Sequence, residues 1–158
     1  MNLIIRPATQ ADFDQVGQVF TQELTFHSRL LPAMFNLADP IMTRQWYNEK
    51  LTNPHEALFV AELEQVIGLV QMEIKTNPDD PIFKPRRYAH VVDLAVTERL
   101  RGQGVGRLLL DKAREWASAQ GVHEIELQVW ELNQGAIRFY ENLGYETKRR
   151  TLRLILDE

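Results

Sequence analysis

Apolar and polar positions change period several times along the chain, and each change marks an element. Residues 3–6 read as a short strand stopped by Pro7. Thr9 with Asp12 three residues on has the spacing of a helix N-cap, and Val16, Val19, Phe20 and Leu24 follow at helical period. Residues 26–40 are mixed, holding His27, Pro32, Phe35 and Pro40, and a second helix is expected from 41 to about 51, ahead of Asn53-Pro54. Residues 57–63 and 66–75 read as two strands joined by a tight Glu64-Gln65 turn. Residues 76–87, with Pro78, Pro81, Pro85, Asp79 and Asp80, read as a loop.

Residues 88–96 are apolar and β-branched, the pattern of a central strand. Val105, Leu109, Ala113 and Trp116 then form one helical face, widened by Leu108 and stopped by Gly121. Residues 124–130 alternate, with Ile125, Leu127 and Val129 on one side. Ala136, Ile137, Phe139, Tyr140 and Leu143 mark another helix closed by Gly144, and residues 146–156 end in the alternation of Leu152, Leu154 and Leu156, a last strand. The predicted order β-α-α-β-β-β-α-β-α-β is that of one mixed α/β domain over residues 1–158.

Composition narrows the classes. The 158 residues suffice for a core without metal or disulfide support. A formal charge of −4 with no basic stripe argues against a nucleic-acid partner, so Trp46, Trp116 and Trp130 read as core or cleft wall. No cysteine is present, which excludes disulfides, thiolate metal sites and a cysteine acyl-enzyme; no metal is expected. The opening Met1-Asn2-Leu3-Ile4-Ile5-Arg6-Pro7 is too short and wrongly charged for a signal peptide, and no run approaches membrane-spanning length, so a cytoplasmic protein is expected.

The chemistry concentrates between the central strand and the helix after it, at Arg101-Gly102-Gln103-Gly104-Val105-Gly106. Glycines let the backbone pass close to a bulky anion, and the N–H groups of a helix's first turn, with the positive end of its dipole, favour phosphate there. Arg101 and Arg107 add charge on either side. A P-loop would need Gly-Lys-Ser/Thr, but Gly106 is followed by Arg107 and Leu108. A dinucleotide fingerprint would need a third glycine where Arg107 stands. The spacing that fits is Arg-x-x-Gly-x-Gly.

With Val91-Val92-Asp93-Leu94-Ala95-Val96 before this turn, Asn133, Ala136, Phe139-Tyr140-Glu141 and Leu143-Gly144-Tyr145 after it, and Ile5-Arg6-Pro7-Ala8-Thr9 with Asp12 at the start, the chain resembles the GNAT N-acetyltransferases over nearly its full length. The resemblance implies a central, mostly antiparallel sheet of six to seven strands, with splayed fourth and fifth strands and about four flanking helices. It implies acetyl-CoA as co-substrate. Arg101, Gly102, Gln103, Gly104, Val105, Gly106 and Arg107 would cradle its pyrophosphate, and Leu94, Ala95 and Val96 would pair with the pantetheine arm and offer an oxyanion donor. Asn133 and Ala136 would order or contact the same ligand, and Tyr140 would protonate the coenzyme A sulfur. A phenol of reference pKa about 10 is a workable acid toward a thiolate of roughly 8–9.

The general base is open. Many relatives carry a glutamate in the fourth strand where this chain has Val92; Asp93 beside it is the candidate, with Glu73, Glu62, His90 or a water chain as others. Simple alternation puts Asp93 on the face opposite Val92 and Leu94. His27 is structural or lines a substrate cleft. The expected function is direct acetyl transfer to a primary amine in a ternary complex. Glu23, Phe26, Phe35, Asp39, Asp79 and Asp80 suit a cationic acceptor such as a polyamine, an amino sugar or a protein amine. A non-catalytic acyl-CoA-binding module and an enzyme using a longer acyl-CoA are the rivals. The last strand is an edge on which two copies could pair as a homodimer.

Overall fold

Five strands form one sheet in the order β1-β2-β3-β4-β5 in the computed structural model, which describes residues 2–156. The chain divides into two compact units, the first ending at Gln128 and the second beginning at Val129. In the first, β1 (Ile4–Pro7), β2 (Glu56–Glu62), β3 (Val66–Thr76) and β4 (Arg87–Val96) pair antiparallel in succession. β5 (Ile125–Leu127) joins β4 in parallel. The tight turn between β2 and β3 falls where the sequence placed it.

Helices cover both faces. On one, α1 (Phe13–Leu30) and α2 (Arg44–Thr52) bury Val16, Val19 and Tyr47 against Leu58, Val60, Leu69 and Ala95. On the other lies α3 (Val105–Ala119), whose buried stripe is Val105, Leu109, Leu110, Ala113 and Ala117. α1 is longer than its apolar period suggested, running through residues 26–30. Its Thr21, Thr25 and Ser28 hydroxyls bond back to helix carbonyls, so these polar positions do not break it.

α1 is fixed at its start by a buried network. After one 3-10 turn (Gln10–Asp12), the carboxylate of Asp12, a residue only 5% exposed, accepts from Thr9 N and Thr9 Oγ1 at 2.8 and 3.0 Å. Arg6 grips both Asp12 oxygens at 2.7 and 2.9 Å and also reaches Glu62 on β2. Tyr47 of α2 donates its hydroxyl to Thr9 O at 2.8 Å. One arginine thus ties β1, β2 and the root of α1 together.

The second unit holds α4 (Gln134–Asn142). Two expectations are corrected. The strand over 124–130 is confined to Ile125–Leu127, the stretch that meets β4. The last strand over 146–156 is not formed among the described residues, so the sheet has five strands rather than six to seven. A strand is completed by hydrogen bonds to a neighbour, and within its own unit the Leu152, Leu154 and Leu156 segment has only a helix beside it in sequence. Among the described residues, no helix is long and apolar enough to cross a membrane.

Hydrogen bonds from Arg6 hold the Asp12 carboxyl down to about 2 against the opposing effect of burial. Its folded pKa lies below its unfolded value, so the stabilisation is present above about pH 4 and is lost as pH falls toward about 2. Nearly two pKa units correspond to about 2 kcal/mol. Asp12→Asn is therefore expected to lower unfolding free energy by about that amount at neutral pH and to flatten its acid dependence in urea titrations. An unchanged acid limb would contradict this.

Candidate functional site

The site begins with an irregularity in β4. Glu73 pairs with His90 and Met72 with Val91, but Gln71 pairs with Asp93, so Val92 is an extra residue bulged out of the ladder. Directly opposed residues share a face of the sheet. Glu73, His90, Gln71, Asp93, Leu69 and Ala95 therefore all lie on the face covered by α1, while Met72 and Val91 lie on the face covered by α3. Simple alternation would have separated Asp93 from His90; the bulge unites them.

α1 continues its inward stripe over this region. Val16, Val19 and Phe20 are followed at helical spacing by Glu23 and His27, so the stripe turns from apolar to ionisable as it passes over β4. Glu23 Oε2 is enclosed and has no hydrogen-bond partner. Burial first, then the charge of Asp93, pushes its carboxyl up to about 8, with Arg101 opposing. Asp93 is also raised by burial, against the field of His27 and His90. Glu73 behaves oppositely: burial would raise it, but hydrogen bonds with Lys75 and His90, the latter at 3.0 Å, hold it below its usual range. Gln71 is 3% exposed, and its Oε1 has no partner.

Beyond the bulge β4 opens on one side. The parallel ladder joins only Ala89, His90 and Val91 to β5, although β4 runs on to Val96. Leu94, Ala95 and Val96 are paired with Val70, Leu69 and Gly68 of β3, and no second ladder includes them among the described residues.

A short 3-10 turn (Glu98–Leu100) leads to the glycine turn. Gly102 has φ of +74° and Gly104, the N-cap of α3, has φ of +86°. Such angles cost a side chain-bearing residue about 1–2 kcal/mol. No side chain caps α3, and Leu108 N makes the bond to Gly104 O at 3.2 Å, so the N–H groups of 105–107 have no acceptor within the helix. Arg101 Nε donates to Val96 O at 3.0 Å, and its guanidinium stands 4.9 Å from the centre of the Phe26 ring. Arg101 thereby links the open end of β4 to α1. Gln103 Nε2 donates to Arg99 O at 3.2 Å.

In the second unit, Asn133 is the N-cap of α4, its side chain accepting from Ala136 N at 3.2 Å. Tyr140 lies in that helix, with ring centres of Phe139 and Tyr145 at 5.2 and 5.6 Å.

The residues expected around the donor thus fall into two sets: Leu94 to Val96 with Arg101 to Arg107 in the first unit, and Asn133, Ala136 and Tyr140 on one helix in the second. Of the base candidates, Asp93, His90 and Glu73 share a face, whereas Glu62 is engaged by Arg6 in the structural network. Gln71 was not recognised as a site group, and Glu23 was read only as one of several residues suiting a cationic acceptor, not as a neighbour of Asp93. Their signals were a carboxylate in register with an apolar helix stripe, and one amide inside an apolar strand. Among the described residues no group of three or more acidic or histidine side chains is arranged to hold a metal.

Comparison with known proteins agrees with this architecture. The family model "Acetyltransferase (GNAT) family" matches residues 23–145. An uncharacterized N-acetyltransferase of Methanocaldococcus jannaschii is 33% identical over 106 residues, spanning 66% of this chain and 46% of that protein. The chain spans about half the length of several curated relatives it matches. A mutant protein from Bacillus halodurans, solved by crystallography, superposes with a TM-score of 0.91 at 27% identity, covering 97% of this chain and 99% of the other. A predicted acetyltransferase from Clostridium acetobutylicum, solved with acetyl-CoA, shares the fold at a TM-score of 0.75 and 19% identity, covering 98% and 96%. With its glycine turn, one-sided β4 and a family match over most of its length, the chain belongs to the GNAT acetyltransferase family.

Proposed function

We propose that residues 1–158 work as one N-acetyltransferase domain that moves the acetyl group of acetyl-CoA directly to a primary amine. The observation that carries this reading is the turn before α3. Left-handed backbone at Gly102 and Gly104 leaves unsatisfied first-turn N–H groups beside a strand end paired on one side only. Those N–H groups, the helix dipole and the charges of Arg101 and Arg107 suit a pyrophosphate. Leu94, Ala95 and Val96 retain backbone groups to pair with a pantetheine arm, and one N–H among them would stabilise the oxyanion. That a fold relative was solved with acetyl-CoA supports the choice of ligand.

Transfer proceeds by attack of the amine nitrogen on the thioester carbonyl carbon, collapse of the tetrahedral oxyanion and cleavage of the C–S bond. Asp93 takes the proton shed by the attacking nitrogen. Burial raises its proton affinity above that of an exposed carboxylate, which brings it nearer the task. Tyr140 gives a proton to the departing thiolate, and Asn133 and Ala136 hold the helix that carries it. No cysteine is available to form a thioester intermediate, which favours direct transfer.

The same absence makes the assay clean, because a thiol reagent reads only released coenzyme A. Acetyl-CoA binding by calorimetry, followed by thiol release across a panel of primary amines, tests the reading. Binding without release for any amine would favour an acyl-CoA-binding module. Tyr140→Phe is expected to lower kcat about tenfold or more while acetyl-CoA KM stays within about twofold. Equal turnover across a pH profile would remove the acid role. Gly104→Ala, strained at positive φ, is expected to weaken acetyl-CoA about tenfold. An unchanged Kd would count against the turn as the donor site.

A further inference from the structure

We propose that Glu23, Asp93 and Gln71 form a seat for a primary ammonium; if the chain is the acetyltransferase read above, this is the protonated end of the acceptor, which gives one proton to bulk water before its neutral nitrogen attacks. Three elements contribute one group each: α1, β4 and β3. Gln71 and Asp93 are directly opposed across the β3–β4 ladder, and the charge of Asp93 is felt at Glu23. All three present hydrogen-bond-accepting oxygens.

Two of those oxygens are conspicuous. Glu23 Oε2 and Gln71 Oε1 are enclosed and make no hydrogen bond. A buried acceptor left without a donor is destabilising, whereas a leucine in place of Gln71, directly opposite Leu58, would carry no such penalty. A ligand that brings donors removes the penalty. An alkylammonium brings three N–H donors, a full positive charge and no acceptor, which complements two carboxyls and a carboxamide oxygen. Hydroxyl and amide groups would add acceptors of their own.

The cations nearby have other partners. Lys75 and His90 contact Glu73, and Arg101 is held by the Val96 carbonyl and the Phe26 ring. His27 follows Glu23 by one helical turn and lowers Asp93 only through its field. Among the described residues, neither Glu23 nor Asp93 is in an ion pair. Burial, then the charge of Asp93, raises the Glu23 carboxyl to about 8. A docking ammonium favours its carboxylate, so binding at neutral pH is accompanied by proton release.

The full chain is first titrated with coenzyme A, which tests the donor reading alone. Butylammonium and tetramethylammonium are then titrated at equal ionic strength into the resulting form, with carboxyl 13C and side-chain amide 15N shifts read by NMR. Butylammonium is expected to shift Glu23, Asp93 and Gln71 saturably; tetramethylammonium, with the same charge and no N–H, is not. Glu23→Gln and Gln71→Leu are each expected to weaken butylammonium about tenfold. Gln71→Leu is also expected to raise the melting temperature, which a structural role for that amide would reverse. An equal response to both cations, or no saturable shift with butylammonium, overturns the seat whether or not coenzyme A binds.

Discussion

One inserted residue in β4 governs the chemistry of the first unit. Had Val92 been paired in a regular ladder, Asp93 would lie on the face covered by α3, whose buried stripe includes Leu109, Leu110 and Ala113. The bulge turns it to the α1 face with His90, Glu73 and Gln71. It also falls immediately after Val91, the last residue that β5 pairs. A bulge bends and overtwists its strand, and that is a physical reason for one neighbour to let go where the bulge begins. The same insertion therefore sets out an ionisable face and a free strand edge, the acceptor and donor sides of the proposed reaction.

The face so formed separates its carboxyls by environment. Glu73 has Lys75 and His90 as partners and stays low; Glu23 has an enclosed oxygen and a like charge nearby and rises to about 8. In a region of reduced dielectric a single partner or its absence is worth pKa units, so neighbouring acids take different roles. The position of Glu23 depends in turn on where α1 begins. Arg6 and Asp12 fix that start, so a structural ion pair at one end of the helix holds an ionisable group further along it in register.

Much of this was legible in the sequence. The β2–β3 hairpin, α3 and the glycine stops at Gly121 and Gly144 follow from period and turn chemistry, because those signals are local. The glycine turn was legible for the same reason: φ above zero selects glycine wherever it occurs. The bulge was not, since an extra residue in an apolar run such as Val91-Val92 leaves no mark on composition or period. Asp93 was consequently assigned a face from alternation alone, without the neighbours that the bulge gives it. Glu23 was legible as an acid facing a cation but not as a member of the inward stripe, because the apolar period was continued through its neighbour Leu24. The tail illustrates the opposite error. Alternating leucines announce a strand, but pairing depends on a neighbour that period cannot supply.

In the proposed reaction the open end of β4 and the turn before α3 together hold the donor. Amide hydrogen exchange of the full chain, with and without acetyl-CoA, is the sharpest check. New protection is expected over residues 94–96 and 102–108, with little change in β1 and β2. Protection confined to other segments, or none at saturating acetyl-CoA, would contradict it.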